Sequence, residues 1–394
     1  MSLPWTLECS GCGRTRGADG LPGVCEACGQ PYLVRYAAAP SPEVKRLLRE
    51  RRRTMWRFRE WLPLADGEDP VTLGEGGTPL LRVDRLAARY GFQELLVKEE
   101  GTNPTGSFKA RGLAAAVTRA VRAGATRFVV PTAGNAGIAL AAYAARAGAS
   151  ARVYAPASTP PTLLSQIRSF GADLVLLDGH IGDCGKAARA YAADSGAIDV
   201  STLREPYRIE GKKTLGLELA EQGNWTLPDA IVYPTGGGTG LIGMWKAFQE
   251  LRAAGWVQGG GVGEGGGRGN ALPRMYSVQS SGCAPVVKAF EERADHCTPW
   301  PDPRTVASGL RVPGPLGDRL MLRALRESGG GAVAVSDAAL TAAARELQTT
   351  EGIDAAPEGG AALAAAVELQ RRGAVRPSDR VVLFNTGAGW LYRG

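Results

Sequence analysis

Histidine is almost missing from this chain: among 394 residues only His180 and His296 are histidines, and neither stands in a triad-like context. Hydrolysis driven by a histidine base is therefore unsupported. Long apolar runs are missing as well, since no stretch approaches the roughly 20 apolar residues of a membrane span. The opening MSLPWTLECSGC lacks the charged and apolar regions of a secretory signal. The expectation is a cytoplasmic protein with no membrane partner. The pattern GxxxxGK[ST] does not occur either, which disfavours a P-loop nucleotidase. Finally, there is little excess charge: 46 lysines and arginines against 39 acids leave +7. That suits an anionic small-molecule substrate and falls short of a nucleic-acid footprint.

What is present argues first for a large core, because 44% hydrophobic content over this length supports two to three domains. The seven cysteines divide into three singletons, Cys184, Cys283 and Cys297, read as packing residues, and a cluster of four. Cys9-x2-Cys12 and Cys25-x2-Cys28 have the paired-knuckle spacing of a zinc ribbon, with Gly11, Gly13 and Gly29 letting each knuckle turn. The competing reading is a metal-free arm of reduced thiols. The densest basic run, 44–61, carries Leu47, Leu48, Met55, Phe58 and Trp61 at roughly helical spacing and is expected to form a solvated amphipathic helix.

Short apolar runs at 126–132, 151–156, 172–178, 197–202, 229–235, 274–279 and 380–386 alternate with alanine-rich helical segments, which predicts an α/β protein with parallel sheets flanked by helices. Several runs end in glycine-rich turns, where open α/β sheets bind ligands. The low-complexity stretch 259–270 is expected to be a mobile surface loop without catalytic residues.

Four segments carry candidate chemistry. In Asn103-Pro104-Thr105-Gly106-Ser107-Phe108-Lys109, Ser107 is placed to cap a helix whose first turn holds Lys109. The amide dipoles there oppose a cation, so a desolvated Lys109 is suited to form a Schiff base, although an exposed surface lysine has the same pattern. Thr132-Ala133-Gly134-Asn135-Ala136-Gly137 begins another helix, whose amides suit a carboxylate and equally suit close packing. Gly236, Gly237, Gly238, Thr239 and Gly240 follow the strand at 229–235 and suit a phosphate. The GxGxxG of Gly238, Gly240 and Gly243 lacks an acid at the end of the next strand, where Gln279 and Ser280 stand. Thr386, in Asn385-Thr386-Gly387-Ala388-Gly389, ends the last strand.

Together and in order, these segments resemble the fold-type II pyridoxal-phosphate enzymes. The runs GEGGTPL at 74–80, MWRFREWLP at 55–63 and PYRIEGKKT at 206–214 are similar to the threonine synthase family, as are the cysteine knuckles. The resemblance implies a two-domain, tryptophan synthase beta-like fold with a zinc-ribbon arm at 1–39, a large domain at 40–112 and 213–394, and a small domain at 113–212. It implies pyridoxal 5'-phosphate on Lys109 beside Phe108, Asn135 on the ring oxygen, Gly236 to Gly240 around the phosphate and Thr386 on the ring nitrogen. Ser107, Thr132, Ala133, Gly134 and Arg208 are implied to meet the substrate, and Cys9, Cys12, Cys25 and Cys28 a structural zinc. The implied activity converts O-phosphohomoserine and water to threonine and phosphate in a homodimer. Ala110, Ala133, Ala136 and Glu205 depart from the family pattern. Glu205, a carboxylate beside a substrate phosphate, calls for neutralisation by Arg208, Lys212 or Lys213. The rival readings are a lyase or β-replacement enzyme acting on threonine, serine or O-phosphoserine, and a binding protein built on the ribbon and the basic run.

Overall fold

The computed structural model describes residues 4–257, 261–262, 268–269 and 272–393. Its chain divides into two units. The first comprises Met1–Gly77, Asn103–Thr214 and Leu391–Gly394, and the second Thr78–Thr102 and Leu215–Trp390.

In the first unit the cysteine-bearing arm is a three-stranded antiparallel sheet with Trp5–Cys9 between Thr15–Gly17 and Tyr32–Tyr36. A separate four-stranded parallel sheet runs in the order Asp173–Leu177, Ser150–Pro156, Arg127–Pro131, Ile198–Asp199. The centre of Arg127–Pro131 is buried at Phe128, Val129 and Val130, as expected for a strand covered on both faces. Helices Lys109–Arg122 and Asn135–Arg146 contribute Leu113, Val117, Ile138, Leu140 and Tyr143 to one core with Phe128 and Val153. Burying each such side chain contributes roughly 1.5–3 kcal/mol.

The second unit is built on a six-stranded sheet in the order Gly331–Val335, Arg274–Ser280, Ala230–Pro234, Arg380–Asn385, Glu94–Glu99, Leu80–Arg82. All pairings are parallel except the last, where Leu80–Arg82 runs antiparallel to Glu94–Glu99. Helix Asp337–Glu351 begins with the Ser336 hydroxyl accepting the Ala339 amide and ends on left-handed Gly352. Its Leu340 and Leu347 join Val232, Val278, Val333 and Leu383 in the core.

The basic run departs from expectation. Val44–Glu50 is helical, but Arg51 is extended, and a tighter helix, Met55–Trp61, follows with Met55, Trp56, Arg57, Phe58 and Trp61 buried. With four apolar residues and Arg57 buried in one short segment, that turn is core and not a solvated face. Within 259–270, Gly261–Val262 pairs antiparallel with Arg268–Gly269. The rest of that stretch, read from sequence as a mobile loop, lies outside the described residues. The three single cysteines are buried, as expected of packing residues. Among the described residues no helix is long and apolar enough to cross a membrane.

Candidate active site

Lys109 is the first residue of the helix Lys109–Arg122, whose opening turn contains no acid. Phe108, with helical dihedrals, takes the cap position without a side-chain cap bond, so Ser107 is not the cap the sequence suggested; its hydroxyl accepts the Lys109 amide at 3.4 Å from one residue further out. The Lys109 Nζ lies 4.3 Å from the centre of the Phe108 ring. The Lys212 Nζ lies 3.9 Å from the same centre and donates to the Phe108 carbonyl. Two amines therefore share one aromatic ring, at a helix end whose dipoles oppose a cation. Ala110 to Ala120 are all buried, which fixes the axis from which Lys109 projects.

Helix Asn135–Arg146 follows the strand Arg127–Pro131 through a turn at Gly134, whose φ is 143°. A side chain there would stand 2.5 Å from Leu163, so the turn requires glycine. The Thr132 hydroxyl accepts the Gly134 amide at 3.0 Å. The amides of Asn135 and Ala136 meet no acceptor among the described residues, leaving an anion seat at the helix start. The Asn135 side-chain amine donates to the Tyr392 hydroxyl at 3.0 Å, and its buried oxygen has no partner. A tyrosine hydroxyl donates as well as accepts, so turning the amide over keeps this bond and leaves the amine to donate to a ligand oxygen.

Arg208, in the first turn of helix Tyr207–Gln222, is buried. Its guanidinium donates to the Val200 carbonyl at 2.6 Å, while its buried Nε has no partner. Burial lowers its pKa. Glu205 is turned toward the helix start, accepting the Tyr207 amide at 2.7 Å and the Arg208 amide at 3.1 Å. Burial pushes Glu205 up to about 7, against the opposing pull of Arg208 and those two amides. Arg208 and the two backbone amides thus favour the Glu205 carboxylate, but burial outweighs them. Lys212 donates to Phe108, and Lys213 pairs with Glu210 at 2.7 Å.

In the second unit the strand Ala230–Pro234 leads through Thr235 and Gly236 to left-handed Gly238 and the helix Thr239–Ala253. A Cβ at Gly236 would lie 2.1 Å from the Gly309 carbonyl oxygen. The first internal bond of the helix is Ile242 to Gly238, at 3.0 Å. Among the described residues no protein acceptor meets the amides of residues 236–241, although all but Gly237 are buried. Buried unpaired amides are rare, and this run of six, five of them in buried residues, suits a dianion. Thr386 is buried at the end of Arg380–Asn385. Beside it, Asn385 donates to both Glu99 oxygens, at 2.9 and 3.0 Å. Burial raises Glu99 to about 7.

These observations fit the pyridoxal phosphate implied by the sequence resemblance. Taken unit by unit, the first offers an amine at Lys109 and a side-chain amide at Asn135, and the second an amide-lined glycine turn suited to a phosphate and the buried Thr386 at a strand end. In the arm, the sulfurs of Cys9, Cys12, Cys25 and Cys28 all lie within 4.8 Å of one another.

Sequence reasoning missed three features. Glu75 of GEGGTPL received no role, yet it is buried and accepts from Trp56, from Tyr143 at 2.6 Å and from the Leu73 amide at 2.9 Å. Tyr392 carries no local pattern to mark it as the partner of Asn135. The contact of Lys212 with Phe108 links positions 104 residues apart.

A family model described as pyridoxal-phosphate dependent enzyme matches residues 71–387. Threonine synthase of Methanocaldococcus jannaschii is 33% identical over 384 residues, 97% of this chain and 92% of that protein. Threonine synthase of Mycobacterium tuberculosis is 34% identical over 333 residues, 84% and 86% of the two chains. Among solved structures, threonine deaminase from T.th. superposes with a TM-score of 0.65 at 27% identity over 79% of this chain and 92% of that one. Diaminopropionate ammonia lyase from Escherichia coli, at 18% identity and a TM-score of 0.68 over 90% and 91%, shares the fold.

Proposed function

Because this chain belongs to the pyridoxal-phosphate-dependent enzyme family, with the fold-type II architecture, and within it to the threonine synthases, we propose that it converts O-phosphohomoserine and water to threonine and phosphate. The observation that carries the reading is the run of unaccepted amides at 236–241, a ready seat for the cofactor's phosphate.

When bound, pyridoxal phosphate supplies an electron-withdrawing ring that stabilises negative charge on substrate carbons near its point of attachment. By the family resemblance, Lys109 would hold it through Nζ, Asn135 would serve the ring oxygen and Thr386, with an uncharged hydroxyl, the ring nitrogen. Phe108 presents its ring to the Lys109 amine. The amides of Asn135 and Ala136, with Ser107, Thr132, Ala133 and Gly134, receive the substrate carboxylate. Arg208 receives the substrate phosphate. Lys109 Nζ would take the α-proton and relay protons among the α, β and γ carbons, a role left to it by the scarcity of histidine. Phosphate leaves the γ-carbon, which ends as a methyl, and water adds its hydroxyl to the β-carbon.

Four cysteines support a structural zinc: tetrahedral bonds of about 2.3 Å place sulfurs about 3.8 Å apart, and the sulfurs lie at 3.8 Å for Cys12 and Cys25, 3.3 Å for Cys9 and Cys28, and within 4.8 Å throughout. The same reading proposes a cytoplasmic homodimer; sedimentation of the purified enzyme checks the dimer, and fractionation of the cell the location.

Product analysis tests the activity. Purified enzyme given O-phosphohomoserine should release threonine and phosphate in equal amounts. Phosphate from O-phosphoserine alone, or ammonia from threonine alone, would assign it to β-replacement or deamination instead.

A further inference from the structure

The cysteine arm does not stand apart from the residues assigned to the substrate. Tyr207, the residue before Arg208, is buried in the arm's own core with Trp5, Leu7, Cys9, Cys25, Tyr32 and Val34. Two of the four cysteines therefore share a core with the neighbour of the arginine. The Tyr207 hydroxyl reaches the Ala18 carbonyl at 3.4 Å. A second strut lies one turn along the same helix, where the Tyr36 hydroxyl donates to Glu210 at 2.6 Å. Glu210 pairs with Lys213, whose Nζ sits 4.2 Å from the centre of the Tyr36 ring. The Arg119 guanidinium lies 5.0 Å from the centre of the Trp5 ring and 6.0 Å from that of Tyr207.

The arm's apolar core is too small to hold its shape unaided, which is the situation in which small modules rely on a bound metal. Arg208 itself is tied by one bond to Val200, with Nε left for a ligand. Its aim thus depends on the start of helix Tyr207–Gln222, and that start is braced by the arm through Tyr207 and Glu210.

We propose that the four-cysteine arm is the support of the anion subsite at Arg208: a metal ion held by Cys9, Cys12, Cys25 and Cys28 fixes Tyr36 and the packing around Tyr207, and these act as positioning residues for the arginine. The inference rests on the reading of Arg208 as the residue that receives the substrate's phosphate. It assigns the metal no chemical step and makes substrate affinity, rather than turnover, the quantity that metal occupancy governs.

The test uses the full-length, cofactor-loaded enzyme before and after chelation, with metal content measured in each sample. Inorganic phosphate is titrated by calorimetry, and KM, kcat and the visible cofactor band are followed in parallel. Metal removal is expected to weaken phosphate binding and raise KM for O-phosphohomoserine by about 10- to 100-fold, in the range a small displacement of a positioned group produces. The visible band and kcat should hold within about twofold, and added zinc should restore affinity. Tyr36→Phe, which removes one hydroxyl and leaves the cysteines intact, should shift phosphate affinity in the same direction at unchanged metal content. That variant decides the matter if chelation precipitates the enzyme. Unchanged phosphate affinity after verified metal loss, a parallel fall in kcat and the visible band, or purified enzyme free of metal would overturn the proposal. Arg208→Gln separates the two levels: if it leaves phosphate affinity unaltered, the assignment of Arg208 fails; if it weakens affinity while chelation does not, the role of the arm fails.

Discussion

The Glu205 carboxylate accepts the backbone amide of Arg208, at 3.1 and 3.2 Å from its two oxygens, so the acid that looked like an obstacle to phosphate is committed to the start of a helix. Its folded pKa is raised to about 7, mainly by burial. The folded state therefore binds more protons than the unfolded chain between about 4.5 and 7. The sign follows: the stability this group contributes is fully present below its unfolded pKa and is lost as pH rises through 7. Glu99, raised to about 7 as well, acts in the same sense. Glu205→Gln keeps an acceptor and cannot ionise, so it should flatten the decline in stability across that window, by at most about 3 kcal/mol. Chemical denaturation of both proteins at a series of pH values checks this; equal slopes would show that Glu205 does not titrate there.

Glu75 should be costly to remove. It satisfies Trp56, Tyr143 and the Leu73 amide in the first unit's interior. Glu75→Ala strands those donors, and a loss of about 2–4 kcal/mol is expected. Denaturant midpoints measure it, and a change below about 0.5 kcal/mol would remove Glu75 from the supports of the unit.

The glycine turn should resist even a methyl group. A Cβ at Gly236 would meet the Gly309 carbonyl oxygen at 2.1 Å, a backbone atom that cannot swing aside. Gly236→Ala should cost about 1–3 kcal/mol and weaken cofactor binding, which equilibrium titration with pyridoxal phosphate measures. Unchanged affinity would separate this turn from the cofactor.

Much of the architecture was legible because buried parallel strands read as short apolar runs: those at 126–132, 151–156, 229–235, 274–279 and 380–386 became Arg127–Pro131, Ser150–Pro156, Ala230–Pro234, Arg274–Ser280 and Arg380–Asn385. Glu94–Glu99 was not legible, because Lys98 and Glu99 make it look polar. Lys98 is fully buried against Glu218 at 2.9 Å, an ion pair that no local pattern announces. The basic run misled for the same reason. Arg57 is buried with its guanidinium 4.6 Å from the centre of the Phe58 ring, so its charge did not mark a solvated face. Among the candidate residues, Lys109 at a helix start and the glycine turn after a strand were readable from local motifs, whereas Tyr392 against Asn135 and Lys212 against Phe108 join positions 257 and 104 residues apart.

Lys109→Ala should abolish the visible absorbance of the cofactor-loaded protein and lower turnover by at least about 10²- to 10⁴-fold, the range attributed to a positioned proton-transfer group. The spectrum and the release of phosphate are read on the same sample. A variant that keeps its visible band would place the cofactor elsewhere.

The most direct measurement is borohydride reduction of the cofactor-loaded enzyme followed by peptide mass mapping. Reduction fixes pyridoxal phosphate to the amine that carries it. The label should appear on Lys109 alone; a label on Lys98, Lys212 or Lys213, or none after saturation with pyridoxal phosphate, would contradict the account.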